Sequence, residues 1–154
     1  MRLTTKGRYA VTAVVDLAYH SRGKPVTLAE IASRQEISLS YLEQLFSRLR
    51  RFGIVRGRRG PGGGYQLGKP PEEIRIADII DAVNEEVDVT LCGGEANCFH
   101  GGPCLTHPLW LGLNRCLRNY LENITVADLL QNAEVQKIAQ WQERLSTKQK
   151  ESVE

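Results

Sequence analysis

No apolar run in this chain approaches the ~18 residues that a membrane-spanning helix needs, so no membrane partner is expected. The N-terminus also lacks a secretory hydrophobic region, because Asp16 interrupts the first apolar stretch. Both absences point to the cytoplasm. Thiols there stay reduced, so the four cysteines read as metal ligands or core rather than disulfides. Cys-x-x-Cys is missing too, which argues against a thioredoxin-like redox enzyme and removes the short knuckle usual in zinc sites. A catalytic Ser/His/Asp set is not evident, and the three histidines are spread thinly. An enzyme is therefore not the expectation.

What is present is a 154-residue chain with 42% hydrophobic residues, enough for one compact domain or a small domain with an appended module. Its net charge of +2 hides an asymmetry. Residues 1–69 hold 13 Lys/Arg against 4 Asp/Glu, a net +9, whereas residues 70–154 hold 7 against 14, a net −7. A basic half joined to an acidic half suggests that the first meets a polyanion and the second does not.

The basic half carries the most informative stretch, Ser38 to Gly53. Leu42, Leu45, Phe46, Leu49 and Phe52 recur at helical spacing and make one apolar stripe. Ser38 or Ser40 can cap this helix, Ser40 with Glu43 fits a capping box, and Gly53 suits the left-handed stop. The opposite face holds Ser40, Glu43, Gln44, Ser47 and Arg51, side chains that match the donor and acceptor edges of bases. Upstream, a helix is expected from Thr4 or Thr5 to about Ser21, buried through Val11, Val14, Val15 and Ala18. A second capping box, Thr27 to Glu30, opens a short helix, and Gln35-Glu36-Ile37 turns into the Ser38 helix. That is a helix-turn-helix, whose second helix enters the major groove leading with Ser40, Tyr41, Glu43 and Gln44. Residues 54–59 then read as a strand, Gly60-Pro61-Gly62-Gly63-Gly64 as a turn and Tyr65-Gln66-Leu67 as its return. Such a hairpin is a wing, on which Arg56, Arg58 and Arg59 would reach phosphates or a narrow minor groove. Gly63-x4-Gly68-Lys69 mimics a phosphate-binding loop, but Pro70 follows where Ser or Thr must stand, so nucleotide binding is rejected.

Pro70-Pro71 looks like a linker. Ile76, Ile79, Ile80 and Val83 form a short amphipathic helix, and residues from about Glu85 to Pro103 read as a Gly-rich loop. Leu105, Leu109, Leu113, Cys116 and Tyr120, widened by Trp110 and Leu117, make a long helix with more apolar surface than a small monomer can cover. Pairing with its own copy is expected, with Cys116 in the core. Thr125 to Asp128 starts another helix, Trp141 anchors a last one, and residues from about Ser146 are polar and frayed. The expected architecture is thus mainly α with a small β-hairpin wing. Residues 1–69 form the DNA-binding domain, 70–103 a connecting helix and loop, 104–145 the dimerisation and C-terminal helices, and 146–154 a flexible tail.

Cys92-x5-Cys98-x5-Cys104-x2-His107 places three thiols and an imidazole within 16 residues. Soft thiolates of this kind hold zinc, copper(I) or iron–sulfur clusters. The wide spacing in a loop suits a larger cofactor, but it leaves cluster and zinc both open, and His100 is a competing ligand.

Taken together, Met1-Arg-Leu-Thr through Gly7-Arg-Tyr-Ala-Val, Ile37 through Arg50, Arg59-Gly-Pro-Gly-Gly-Gly-Tyr and the Cys/His set resemble the Rrf2 group of winged-helix transcription factors. Within it, they resemble the bacterial iron–sulfur cluster regulators. The likeness covers nearly all of residues 1–132. It implies a homodimer that binds a 2Fe–2S cluster through Cys92, Cys98, Cys104 and His107, receives it from the cluster assembly machinery, and represses the assembly genes when loaded. It further implies that stripped protein binds a second class of double-stranded operator, that Glu43 discriminates between the classes, and that Ser40, Gln44 and Arg59 contact DNA. The rival from the residues alone is a zinc-stapled dimeric interaction module.

Overall fold

The computed structural model describes residues 3–153; the Met1-Arg2 start of the first motif lies outside them, as does Glu154 of the expected tail. Seven helices and one hairpin follow in the order α1 (Thr5–Ser21), α2 (Leu28–Gln35), α3 (Leu39–Arg51), β1 (Val55–Arg58), β2 (Gly64–Leu67), α4 (Ile76–Ala82), α5 (His107–Glu122), α6 (Val126–Gln131) and α7 (Ala133–Val153).

Three helices and the hairpin make the N-terminal winged-helix unit. In α1 the fully buried residues are Ala10, Ala13, Val14 and Leu17, while Val11, Val15 and Ala18 are only half-buried, so the packed face is turned from the expected one. Asp16 is also buried on that helix and receives Arg34 and Gln35 from α2. The Thr27–Glu30 capping box opens α2 as expected. Ser38, not Ser40, caps α3: its hydroxyl accepts the Tyr41 N–H, and Ser40 Oγ lies 3.0 Å from Ser38 Oγ instead of forming a box with Glu43. Leu42, Leu45, Phe46 and Leu49 are buried, each worth about 1.5–3 kcal/mol relative to exposure, but Phe52 caps the helix and is 58% exposed. Gly53 takes the left-handed stop at φ 76°.

The hairpin is antiparallel, with Val55 opposite Leu67 and Arg58 opposite Gly64. It docks on the segment before α2 through Val26 and Tyr65, whose N–H groups donate to each other's carbonyls at 2.9 and 2.7 Å. Gly64 permits that approach, since a Cβ there would sit 2.5 Å from the Val26 carbonyl oxygen.

No separate unit begins at the Pro70-Pro71 break. After a 3-10 turn at Pro71–Glu73, the chain re-enters the same core through Ile74, Ile76, Ile79, Ile80 and Val83. Ile76 N–H donates to the Ile124 carbonyl and Val126 N–H to that of Ile74, pinning α6 beside α4. The polar stretch from Ser146, expected to be frayed, continues α7 as helix to Val153. Trp141 does not anchor α7, being 53% exposed. The helix instead docks through Gln142, which exchanges amide hydrogen bonds with Gln35 at 2.9 and 3.0 Å.

Candidate metal centre and nucleic-acid interface

On α3, Ser40, Glu43, Gln44, Ser47 and Arg51 are all exposed on one face, as the periodicity requires. Tyr41 is half-buried, its ring edge-on to Tyr9 with centroids 6.0 Å apart. It therefore shapes the surface more than it projects from it. Tyr9 and Thr5, which the periodicity did not single out, join Ser38, Ser40 and Gln44 around a hollow of about 650 Å³ at the start of α3. On the wing, Arg56 and Arg59 are exposed, and Arg58 Nε donates to Gln66 Oε1 at 3.0 Å. Arg56 and Arg58 stand two residues apart on β1 and share a face. A polar helix face flanked by an arginine-bearing hairpin can place side chains on base edges and cations on phosphates.

The second site lies in the loop between α4 and α5. Cys92, Cys98 and His107 bring their ligand atoms within 4.8 Å of one another. His107 is buried at the first position of α5, and its Nδ1 lies 3.6 Å from Cys92 Sγ and 3.8 Å from Cys98 Sγ. Cys104 falls outside that group of three but adjoins it, its N–H donating to Cys98 Sγ at 3.0 Å. His100 is exposed, stacks edge-on to Phe99 and takes no part. Cys116 is exposed on α5, not core.

The environment favours anionic sulfur at Cys92 and Cys104 but not at Cys98. Burial pushes the Cys92 thiol up, but the Ala96 and Gly94 N–H groups and the Thr90 hydroxyl outweigh it and leave the thiol below its ordinary value. The hydrogen bond with Cys98 lowers Cys104, against burial and with help from Thr106. Cys98 pays in the opposite direction: the Cys104 N–H lowers it, but that thiol's hydrogen bond, burial and Cys92 together raise it. The positive end of α5 adds to the attraction. Sulfur and imidazole donors, with thiolates made accessible, fit a soft or borderline metal such as iron or zinc.

Several residues of this loop carry no metal-ligand signal and were missed. Asp88 accepts Thr90 N–H, Thr90 hydroxyl and Asn114 amide hydrogen bonds, each at 2.8 Å. Only the three-dimensional return of α5 brings Asn114 there.

The Rrf2 family pattern, described as an iron-dependent transcriptional regulator, matches residues 3–132. The chain is 56% identical over 142 residues to the HTH-type transcriptional regulator IscR of Serratia proteamaculans, covering 92% of this chain and 87% of that one. Among solved structures, T. potens IscR superposes with a TM-score of 0.70 at 35% identity, covering 86% of this chain and 88% of the other. CymR, the global cysteine regulator of B. subtilis, gives 0.72 at 32% identity, covering 84% and 96%.

Proposed function

The chain belongs to the Rrf2 family of iron-dependent transcriptional regulators, and from that premise we propose that it reads promoter DNA under the control of a 2Fe–2S cluster held by Cys92, Cys98, Cys104 and His107. Like its relatives it is a DNA-binding transcriptional regulator and not an enzyme. The observation that carries the finer reading is the convergence of Cys92, Cys98 and His107 in a chain whose other end is a basic winged helix.

In this reading α3 and the wing contact operators through Ser40, Tyr41, Glu43, Gln44, Ser47, Arg51, Arg56, Arg58 and Arg59. Glu43 sets the choice between operator classes. A carboxylate beside phosphates is unfavourable unless it accepts a hydrogen bond, for instance from cytosine N4. Loaded protein represses the genes for cluster assembly, whose machinery supplies the cofactor, and stripped protein keeps a second class of sites. Bound iron–sulfur chemistry would supply a reversible signal of cofactor supply. A histidine in place of a fourth thiolate makes the cofactor easier to lose, which suits a sensor.

Two copies pair through α5. Leu109, Leu113 and Tyr120 are 61%, 39% and 63% exposed, an apolar stripe that a second α5 covers across a two-fold axis. The protein works in the cytoplasm; no helix of the described residues is long and apolar enough to cross a membrane.

Metal analysis tests the cofactor. Protein purified without oxygen is expected to be coloured and to contain iron and acid-labile sulfide in equal amounts. Cys92→Ala, Cys98→Ala and Cys104→Ala lose the colour yet retain binding to some operators. Stoichiometric zinc without sulfide refutes the cluster and supports a zinc-stapled module.

A further inference from the structure

The segment between α4 and Cys92 forms no helix or strand, and side-chain hydrogen bonds tie both of its ends. At its far end the Thr90 hydroxyl accepts the Gly94 N–H, which fixes the turn that carries Cys92. Thr90 in turn donates to Asp88. Asn114 of α5 grips this unit from both sides: its Nδ2 donates to Asp88 at 2.8 Å and its Oδ1 accepts the Val89 N–H at 2.8 Å. One side chain thus holds two consecutive residues of the loop.

At the near end the chain is held to the winged-helix unit. Glu85 is buried, and its carboxylate accepts the N–H of Thr4, at the entrance to α1. Lys6 donates to the neighbouring Asn84 carbonyl at 3.0 Å. Gly7 leaves room for Glu85, since a Cβ there would sit 2.9 Å from its Cγ. Arg48, in the last turn of α3, donates from Nη1 to the Val83 carbonyl at 3.2 Å. Arg48 is thereby a direct hydrogen bond from the helix that faces DNA to the residue that ends α4 and begins the metal loop.

We propose that Asn114 and Arg48 are positioning residues that carry the state of the Cys92–Cys98–His107 site to α3. Asn114 holds the Asp88–Thr90 turn, and Arg48 holds the Val83 carbonyl, at opposite ends of one irregular segment. The inference rests on the reading of that site as a regulatory metal centre. A metal held by Cys92, Cys98 and His107 would pull on the turn that the Thr90–Gly94 hydrogen bond already shapes. Asn114 then confines the adjustment to residues 83–88, where Glu85 and Arg48 pass it to α1 and α3. Without either grip the loop absorbs the change locally. Coupling of this kind is a difference between two states of one segment, and no contact to DNA is required of Asn114 or Arg48.

The test uses the full chain, prepared without oxygen as iron-loaded and as chelator-stripped protein. Binding to an assembly-gene promoter duplex, of the class that loaded protein represses rather than the class that stripped protein keeps, is measured by fluorescence anisotropy, with iron per chain assayed alongside. The wild-type loaded and stripped affinities are expected to differ by roughly 5- to 150-fold, and in Asn114→Ala and Arg48→Ala to differ by about twofold or less, with iron content unchanged. Hydrogen exchange gives a second readout. Loading slows exchange over residues 83–90 and the last turn of α3 in the wild type, but over the loop alone in Arg48→Ala. If both variants keep the wild-type ratio and exchange pattern, the relay is wrong while the regulatory site stands. A wild type whose affinity and exchange ignore loading overturns the site's regulatory reading and the relay with it.

Discussion

Asp16 is buried because three donors meet it: Arg34 reaches its two oxygens at 3.0 and 2.8 Å, and Gln35 adds a third bond at 2.8 Å. Asp16→Ala leaves Arg34 without its counter-charge, and the expected cost is about 3–5 kcal/mol in urea unfolding; an unchanged midpoint would show that the pair is dispensable. Glu85 gives a pH signature. Burial pushes its carboxyl up, but hydrogen bonds from the Thr4 hydroxyl and N–H, with Lys6, outweigh it and hold it below the usual glutamate range. Its contribution is fully present above the unfolded glutamate pKa of about 4.3 and fades as pH falls through the lower folded value. The acid limb of stability against pH is therefore steeper in wild type than in Glu85→Gln, and parallel limbs would remove that role. Glu43→Ala is expected to let stripped protein bind operators that otherwise demand loaded protein, read by gel shift. Unchanged selectivity would leave Glu43 without its part. Residue types alone indicated Glu43 as a surface carboxylate and Asp16 as a break in an apolar run. They could not indicate that Arg34 arrives from α2, nor that Cys116 faces outward, because both depend on how helices are rotated in the packed fold.

At the scale of elements, α5 is tied to its own chain on one side only. Arg118 donates to both Asp81 oxygens at 2.7 Å, and Asn114 holds the metal loop. The Arg118 pair is about half exposed, so it contributes at most about 1 kcal/mol and serves chiefly to set the helix's rotation. That rotation leaves Leu109, Leu113 and Tyr120 outward. Light scattering is expected to give twice the chain mass for wild type, and Leu113→Glu is expected to give the chain mass. A wild-type monomer would assign the stripe to another partner. Helix positions were legible because capping boxes and 3.6-residue periodicity are local: Thr27–Glu30 and Thr125–Asp128 both form as the spacing predicts. Phe52, Trp141 and α7 were misjudged because an apolar residue at helical spacing marks a face, not the neighbour that covers it. The Gln35–Gln142 exchange that docks α7 joins residues 107 positions apart.

Across the whole molecule, charge and core are distributed differently. The charge divides near residue 69, yet one hydrophobic core runs from Ala10 through Ile74–Val83 to Val126. The acidic half is therefore built into the base of the winged-helix unit, which is why Arg48 and Glu85 can bond across the division. The metal loop was legible from its Cys/His spacing, whereas its connection to α3 was not, since backbone carbonyls such as that of Val83 leave no mark in a sequence. The basic half predicts salt-sensitive binding. Removing Arg56 or Arg59 should weaken binding to all sequences alike and reduce the slope of log affinity against log salt by about 1 each; a slope unchanged by both would take the wing off the DNA. In the proposed function a basic winged helix reads promoters according to the occupancy of a metal site behind it. Footprinting of promoter DNA at low ionic strength, with loaded and stripped protein side by side, tests this most directly. Protected promoters whose pattern changes with occupancy are expected; no protected promoter in either state, or a pattern that ignores occupancy, would refute the proposed function.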